Sequence, residues 1–184
     1  MFNVCHLCGQ YRADKTIQTD PLNSRDALAL CPECGHPHPF RRLPLLVVSG
    51  ASGAGKSTVC NALLGKVEEA ILLDADILWS AAFDRPDEQY RSFFEQWLRL
   101  CKNIHQAGRP VVLFGAGCGV PANLESCIER RYISTIHYLA LVCEDELCNA
   151  DCWPVLPGDK VAVKHLSQAS FNSTSGSNST TVSR

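Results

Sequence analysis

No stretch of the 184-residue chain is apolar for long enough to cross a bilayer, and Met1-Phe2-Asn3-Val4-Cys5 lacks the basic, then apolar, pattern of a signal region. A cytoplasmic location is the expectation. Charge of one sign is missing too: 17 Lys and Arg stand against 19 Asp and Glu, a net charge of −2. That balance leaves no electrostatic footprint for duplex nucleic acid or for an anionic membrane. Strong bases also thin out beyond Cys148, where only Lys160, Lys164 and Arg184 remain, and Ser167 to Ser183 is mostly Ser, Thr and Asn. Residues 148–184 therefore read as an atypical, largely disordered tail. What remains is long enough to bury the core of one modest α/β domain with something small attached.

Cysteine is abundant. The chain holds 11, an odd count that argues against a closed disulfide framework. Four of them stand as Cys5-His6-Leu7-Cys8-Gly9 and Cys31-Pro32-Glu33-Cys34-Gly35. Two C-x-x-C turns supply four thiolates for a tetrahedral Zn²⁺, and the glycine after each lets the chain turn so that backbone N–H groups face sulfur. Residues 1–40 are thus read as a zinc ribbon of two knuckles whose folding free energy comes from the metal. The long spacer Thr16 to Leu30, polar and carrying Pro21, Asn23 and Ser24, reads as a loop. His36 and His38 are alternative ligands, but beside Gly35 and Pro37 they read as solvent-facing. Arg12, Lys15, Arg41 and Arg42 read as a solvated face in preference to a nucleic-acid contact. Cys60, Cys101, Cys118, Cys127 and Cys143 read as reduced thiols, mostly buried.

After Pro37 to Pro44, read as a short stiff connector, the pattern changes. The apolar run Leu43 to Ser49 leads into Gly50-Ala51-Ser52-Gly53-Ala54-Gly55-Lys56-Ser57, the strand, glycine-rich loop and helix order of a phosphate-binding P-loop. Backbone N–H groups of Gly50 to Thr58 and the helix start would surround a β-phosphate. Lys56 would neutralise β/γ charge, and the Ser57 hydroxyl would ligate Mg²⁺. The expected ligand is a nucleoside triphosphate.

Strands and helices then alternate: a helix over 58–65, a strand over 70–73, a helix over 87–106, a strand over 110–114, a helix over 121–131 and a strand over 133–142. In the long helix Tyr90, Phe93, Phe94, Trp97, Leu98, Cys101 and Ile104 recur at three and four residues, one apolar stripe for a sheet. Repeating βα units predict a parallel sheet with helices on both faces, and ligands gather beyond the carboxyl ends of such strands. Asp74, Asp76 and Gly115 to Gly119 fall at that edge. One carboxylate would hold Mg²⁺ through water and the other would orient an acceptor hydroxyl, unless the pair merely caps a turn. Trp79, Phe83 and Phe94 would either stack on a base or pack in the core.

The P-loop, the Asp74-x-Asp76 after the second strand and Val112-Leu113-Phe114-Gly115-Ala116-Gly117 resemble the shikimate, gluconate and nucleoside or nucleotide kinase branch of P-loop proteins. With the twin C-x-x-C-G head, Phe40-Arg41-Arg42-Leu43-Pro44 and Ile136-His137-Tyr138-Leu139-Ala140-Leu141-Val142-Cys143, the chain from Val4 to Leu147 is similar to bacterial zinc-ribbon-headed AAA-family ATPases or nucleoside kinases. The resemblance implies a three-layer P-loop fold over 43–147, ATP and Mg²⁺ at Gly50 to Ser57, and a small-molecule acceptor near Asp76, Gly115 and Gly117. No N-K-x-D motif selects guanine. Kinases of this branch carry a lid helix with arginines and a further strand, both lacking here; Arg85, Arg130 or Arg131 would substitute in part, whereas Arg91 on the amphipathic helix reads as solvated. The alternative is a zinc-containing ATP-binding module with weak ATPase activity.

Overall fold

The computed structural model describes residues 3–20 and 23–142, together with the backbone of 162–166. Three strands build the head: β1 (Thr16–Asp20), β2 (Asn23–Leu30) and β3 (Pro37–Arg41), antiparallel in the order β1-β2-β3. Ile17, Ala29 and His38 stand opposite one another, and so do Ala27 and Phe40. Ala27, Ala29, His38 and Phe40 are buried on one face, whereas Leu28, Pro37 and Pro39 face outward. The span expected as a loop, Thr16 to Leu30, is therefore a hairpin. Its period of two is carried by alanines small enough to lie beneath larger rings, not by branched residues. His38, expected in solvent, is buried with its ring beside those of His6 and His36.

Most of the expected connector is a strand as well. Cys31 donates to the His36 carbonyl at 3.0 Å and Arg42 to the Arg25 carbonyl at 2.7 Å. That phase turns the backbone at 37, 39 and 41 away from β2, so two prolines sacrifice no ladder bond. The Arg41 N–H donates instead to Gln106 Oε1 at 2.9 Å, and its carbonyl accepts from Gln106 Nε2 at 3.1 Å.

The body is a five-stranded sheet in the order β5-β6-β4-β7-β8. Here β4 is Leu45–Ser49, β5 Ile71–Asp74, β6 Val111–Phe114, β7 Ile136–Val142 and β8 Ala162–Leu166. The first four in that order run parallel, as the βα repeats predict, and β8 joins β7 antiparallel. The segment assigned to the tail thus supplies an edge strand in place of a lacking one. Cys143, Cys152 and the disorder expected over the rest of the tail lie outside the described residues.

Helices α1 (Lys56–Leu63), α2 (Arg91–His105) and α3 (Pro121–Glu125) complete three layers. On one face Leu45, Val47, Val111, Leu113 and Ile136 pack with Phe93, Phe94, Trp97 and Leu98 of α2 and Leu124 of α3. On the other, Val48, Phe114 and Leu141 meet Val59, Cys60 and Leu63 of α1. Two helices are shorter than their patterns predict. Before α2, residues 75–78, 81–83 and 86–88 form 3₁₀ turns, and Gln89 and Tyr90 take left-handed φ values of 52° and 56° that no α-helix passes through. After α3, Ile128–Tyr132 is 3₁₀ because the Glu95 carboxylate on α2 takes the N–H groups of Ile128 (2.6 Å) and Glu129 (3.1 Å).

Head and body meet over a buried polar cluster. Lys102 Nζ donates to Glu129 Oε2 and to Asn3 Oδ1, each at 2.5 Å, and Asn3 Nδ2 donates to Glu129 Oε1 at 3.0 Å. All three residues are buried, and Lys102 also stands 4.3 Å from the centre of the Tyr132 ring. Tyr132 packs edge-on against Phe40 and donates its hydroxyl to the Ala13 carbonyl at 2.6 Å. Lys15, expected in solvent, is fully buried here, and Arg12 pairs with Asp14 and Glu33.

Candidate functional site

Gly50 ends β4 where no side chain fits: a Cβ there would stand 2.6 Å from the Leu141 carbonyl oxygen on β7. The chain then loops through Ala51, Ser52, Gly53 and buried Ala54 to Gly55, whose left-handed φ of 86° starts α1. Lys56 Nζ lies over the loop, donating to the carbonyls of Gly50 (3.0 Å) and Ala51 (2.8 Å). Ser57 and Thr58 are exposed in the first turn of α1, and no acidic side chain stands in that turn. The first-turn N–H groups and the Lys56 ammonium therefore present positive potential at one place.

Parallel register brings the other expected residues to the same edge. Val48 and Asp74 both stand level with Phe114, on either side of β6. Two inter-strand spacings put their backbones about 10 Å apart. Asp74 Oδ1 accepts from the Asp76 N–H at 3.0 Å, so this carboxylate caps the 3₁₀ turn that follows. Asp76 is exposed and makes no side-chain hydrogen bond with a described residue. The two carboxylates, alike in sequence, differ in employment.

Helix α2 fixes this corner. Trp97, fully buried, donates its indole N–H to the Ala75 carbonyl at 3.2 Å, between the two aspartates. A Cβ on Gly115 would stand 2.7 Å from the Ala75 side chain, so the glycine lets the β6 loop close against the D-A-D turn. Gly115 donates to the Val48 carbonyl at 3.0 Å, and Ser49 Oγ donates to the Ala116 carbonyl at 2.9 Å, tying that loop to the strand before the P-loop. Gly117 is exposed beside the Phe94 ring. Phe94 is core; Phe83 is half-buried; Trp79 is exposed.

Of the arginines considered as phosphate clamps, Arg130 binds Glu125 and the Ile133 carbonyl, and Arg131 binds the carbonyls of Ile128 and Lys15. Arg85 pairs with Asp87 and Glu88. Arg91, exposed at the start of α2, has no such engagement among the described residues. Sequence reasoning did not single out Glu95, Lys102 or Glu129, whose contacts span 27 to 126 residues and leave no local pattern.

The four knuckle cysteines converge so that their Sγ atoms all lie within 4.8 Å of one another, with Cys5 and Cys34 at 3.6 Å and Cys8 and Cys31 at 3.8 Å. A tetrahedron of sulfurs about 2.3 Å from a Zn²⁺ has edges of about 3.8 Å, so the cluster can hold that ion. The two knuckles repeat each other. Gly9 donates to the Cys5 carbonyl at 2.9 Å and Gly35 to the Cys31 carbonyl at 2.8 Å, at φ values of 73° and 72°. The backbone N–H of Cys8, chiefly, holds the Cys5 thiol down to about 5. Cys31 is lowered as well: burial opposes its thiolate, but the N–H groups of Cys34 and Glu33 outweigh it. Cys34 is pushed up to about 12: the His36 N–H favours its thiolate, but burial and the sulfurs of Cys5, Cys8 and Cys31 outweigh it. A cation among them removes that penalty. Cys101, Cys118 and Cys127 are buried free thiols raised by burial, the last two to about 12, as expected of inert core residues.

A strand, a glycine-rich loop and a helix at the carboxyl edge of a parallel sheet between helical layers define a P-loop α/β protein. Over 96 residues this chain is 36% identical to a guanylate kinase of Anaplasma phagocytophilum (strain HZ), a stretch covering 50% of this chain and 45% of that protein. The chain thus spans less than half the length of that curated relative. No family model matches it. No helix among the described residues is long and apolar enough to cross a membrane.

Proposed function

We propose that the chain is a kinase that transfers the γ-phosphate of ATP to a nucleotide, nucleoside or similar small hydroxyl acceptor. The observation that carries the reading is the shared sheet edge on which Lys56 and the exposed Asp76 stand. Similarity to a guanylate kinase supports phosphoryl transfer to a nucleotide. Residues Gly50 to Thr58 bind the ATP phosphates through backbone N–H groups. Lys56 exchanges its two loop carbonyls for phosphate oxygens and balances the charge that builds on them in a loose transition state. Mg²⁺, held by the Ser57 hydroxyl, would add charge neutralisation to that of Lys56. Asp76 accepts the acceptor's hydroxyl proton or orients it. Asp74, occupied as a cap, aims Asp76 and does not meet substrate. Gly115 and Gly117 let the acceptor approach the backbone. Zn²⁺ at Cys5, Cys8, Cys31 and Cys34 is structural, since it stands in the head, away from this edge.

The test is ADP release by the purified chain with ATP and Mg²⁺ across nucleosides, nucleoside monophosphates, shikimate and gluconate. Stimulation by one acceptor class is expected, with a fall of about 10²-fold or more in Asp76→Asn and loss of ATP binding in Lys56→Ala. Slow ADP release that no acceptor raises would instead make the protein an ATP-binding module with weak hydrolysis.

A further inference from the structure

Between β5 and α2 the chain holds apolar surface in water that phosphoryl transfer alone does not require. Trp79 is 49% exposed and Ile77 65% exposed, directly after Asp76. The indole is nevertheless fixed in place. It lies 5.3 Å from the Phe93 ring at 79° and 5.9 Å from Tyr90 at 50°. Phe93 in turn packs edge-on with Phe83, Phe94 and Trp97, so the exposed ring stands on a rigid aromatic stack rooted in α2.

Tyr90 reaches this position through an unfavourable backbone. Gln89 and Tyr90 are the described non-glycine residues with positive φ, and they are consecutive. Such strain persists only where surrounding contacts over-determine it, and it gathers at ligand clamps. The backbone also fixes where the ring lies relative to the reacting group: the Trp79 N–H donates to the Asp76 carbonyl at 3.0 Å, closing the 3₁₀ turn. One short turn therefore presents a carboxylate and, three residues on, a flat apolar surface. An acceptor that uses both has a hydroxyl at one end, from which the carboxylate accepts, and a planar ring at the other. A sugar acid has no such ring; a nucleotide does, and any base offers a π-face to an aromatic side chain.

Resting on the kinase reading above, we propose that Trp79, backed by Tyr90, is the base-stacking shelf of the acceptor site, so that the acceptor carries a nucleobase.

The full chain is titrated with GMP, AMP, CMP and UMP, and with ribose 5-phosphate as the base-free probe, following indole emission without ATP and ADP release with it. A nucleotide is expected to quench emission where ribose 5-phosphate does not. Trp79→Ala should lose the quench and raise KM for that nucleotide about tenfold or more, with kcat within about twofold and ATP affinity unchanged. Trp79→Phe should recover most of the affinity. Trp79→Leu keeps an apolar contact with Phe93 but has no π-face, and reads the same loss should the alanine variant unfold. A nucleotide KM within about twofold of wild type in both Ala and Leu variants overturns the shelf. So does turnover with gluconate or shikimate alone, which would leave the kinase reading standing. A Trp79-dependent quench without acceptor-dependent ADP release overturns the kinase reading and the acceptor-site assignment with it, leaving Trp79 a base-stacking ring alone.

Discussion

In the body, the parallel strands bury Leu45, Val47, Val111, Leu113 and Ile136 beneath Phe94, Trp97 and Leu98 of α2 and Leu124 of α3. In the head, the buried apolar cluster is Ala27, Ala29 and Phe40, and its fourth member, Tyr132, belongs to the body. A sheet with so little to bury cannot offset the entropy of ordering its own chain. It is held by two other supports, the convergence of four thiols and the polar cluster of Asn3, Lys102 and Glu129. The comparison teaches that a small module can be ordered by polar chemistry where its apolar core is too thin.

Removing the proposed Zn²⁺ should break the comparison most visibly. Chelation, or Cys5→Ser, is expected to unfold the head while the body keeps its helices. The free energy at stake is on the order of 10 kcal/mol, as for other small zinc modules. About one Zn²⁺ per chain by elemental analysis, and loss of hydrogen-exchange protection over 16–41 but not over 91–105 on chelation, would bear this out. No bound metal in a folded head would refute it.

Glu129→Gln acts at the other support. It leaves the Lys102 ammonium buried without its carboxylate, and breaking a buried pair in this way costs about 3–5 kcal/mol. Urea denaturation should show both parts destabilised together, because the cluster belongs to both. A loss confined to the head would mean that the body does not rely on it.

His105 sharpens the contrast from the body's side. Both its ring nitrogens are buried with no hydrogen-bond partner among the described residues, and burial holds its pKa down to about 4 from the ordinary 6.5. Between these values the unfolded chain binds more protons than the folded one. The stabilisation is therefore whole above pH 6.5 and is lost as pH falls to about 4, by up to about 3 kcal/mol. His105→Leu should flatten the difference in urea midpoint between pH 7 and pH 5, a change that a surface histidine would not produce.

Much of the body was legible in the chain. The P-loop sits between the strand and helix its residues imply, and the three- and four-residue spacing from Phe93 to Cys101 marks the buried face of α2. Helix starts and ends were less so, because the left-handed pair at Gln89 and Tyr90 and the competing Glu95 carboxylate are tertiary effects that no local propensity announces. The hairpin was missed because its buried residues are two alanines, Ala27 and Ala29, which read as indifferent without a partner to cover them. At the site, the spacing of Asp74 and Asp76 was readable, but the capping bond that separates their employment depends on the turn between them. The support of that turn by Trp97 joins residues 22 apart and was invisible.

The outward side of β3 has a consequence for how the protein behaves at high concentration. Along that border positions 37 and 39 are prolines with no N–H to offer, and the donor at 41 is already taken by the Gln106 amide, which also occupies the carbonyl beside it. A second chain seeking to extend the head sheet there finds no run of donors on which to template itself. The border that reads in sequence as a stiff linker is thereby a guard against strand-to-strand aggregation.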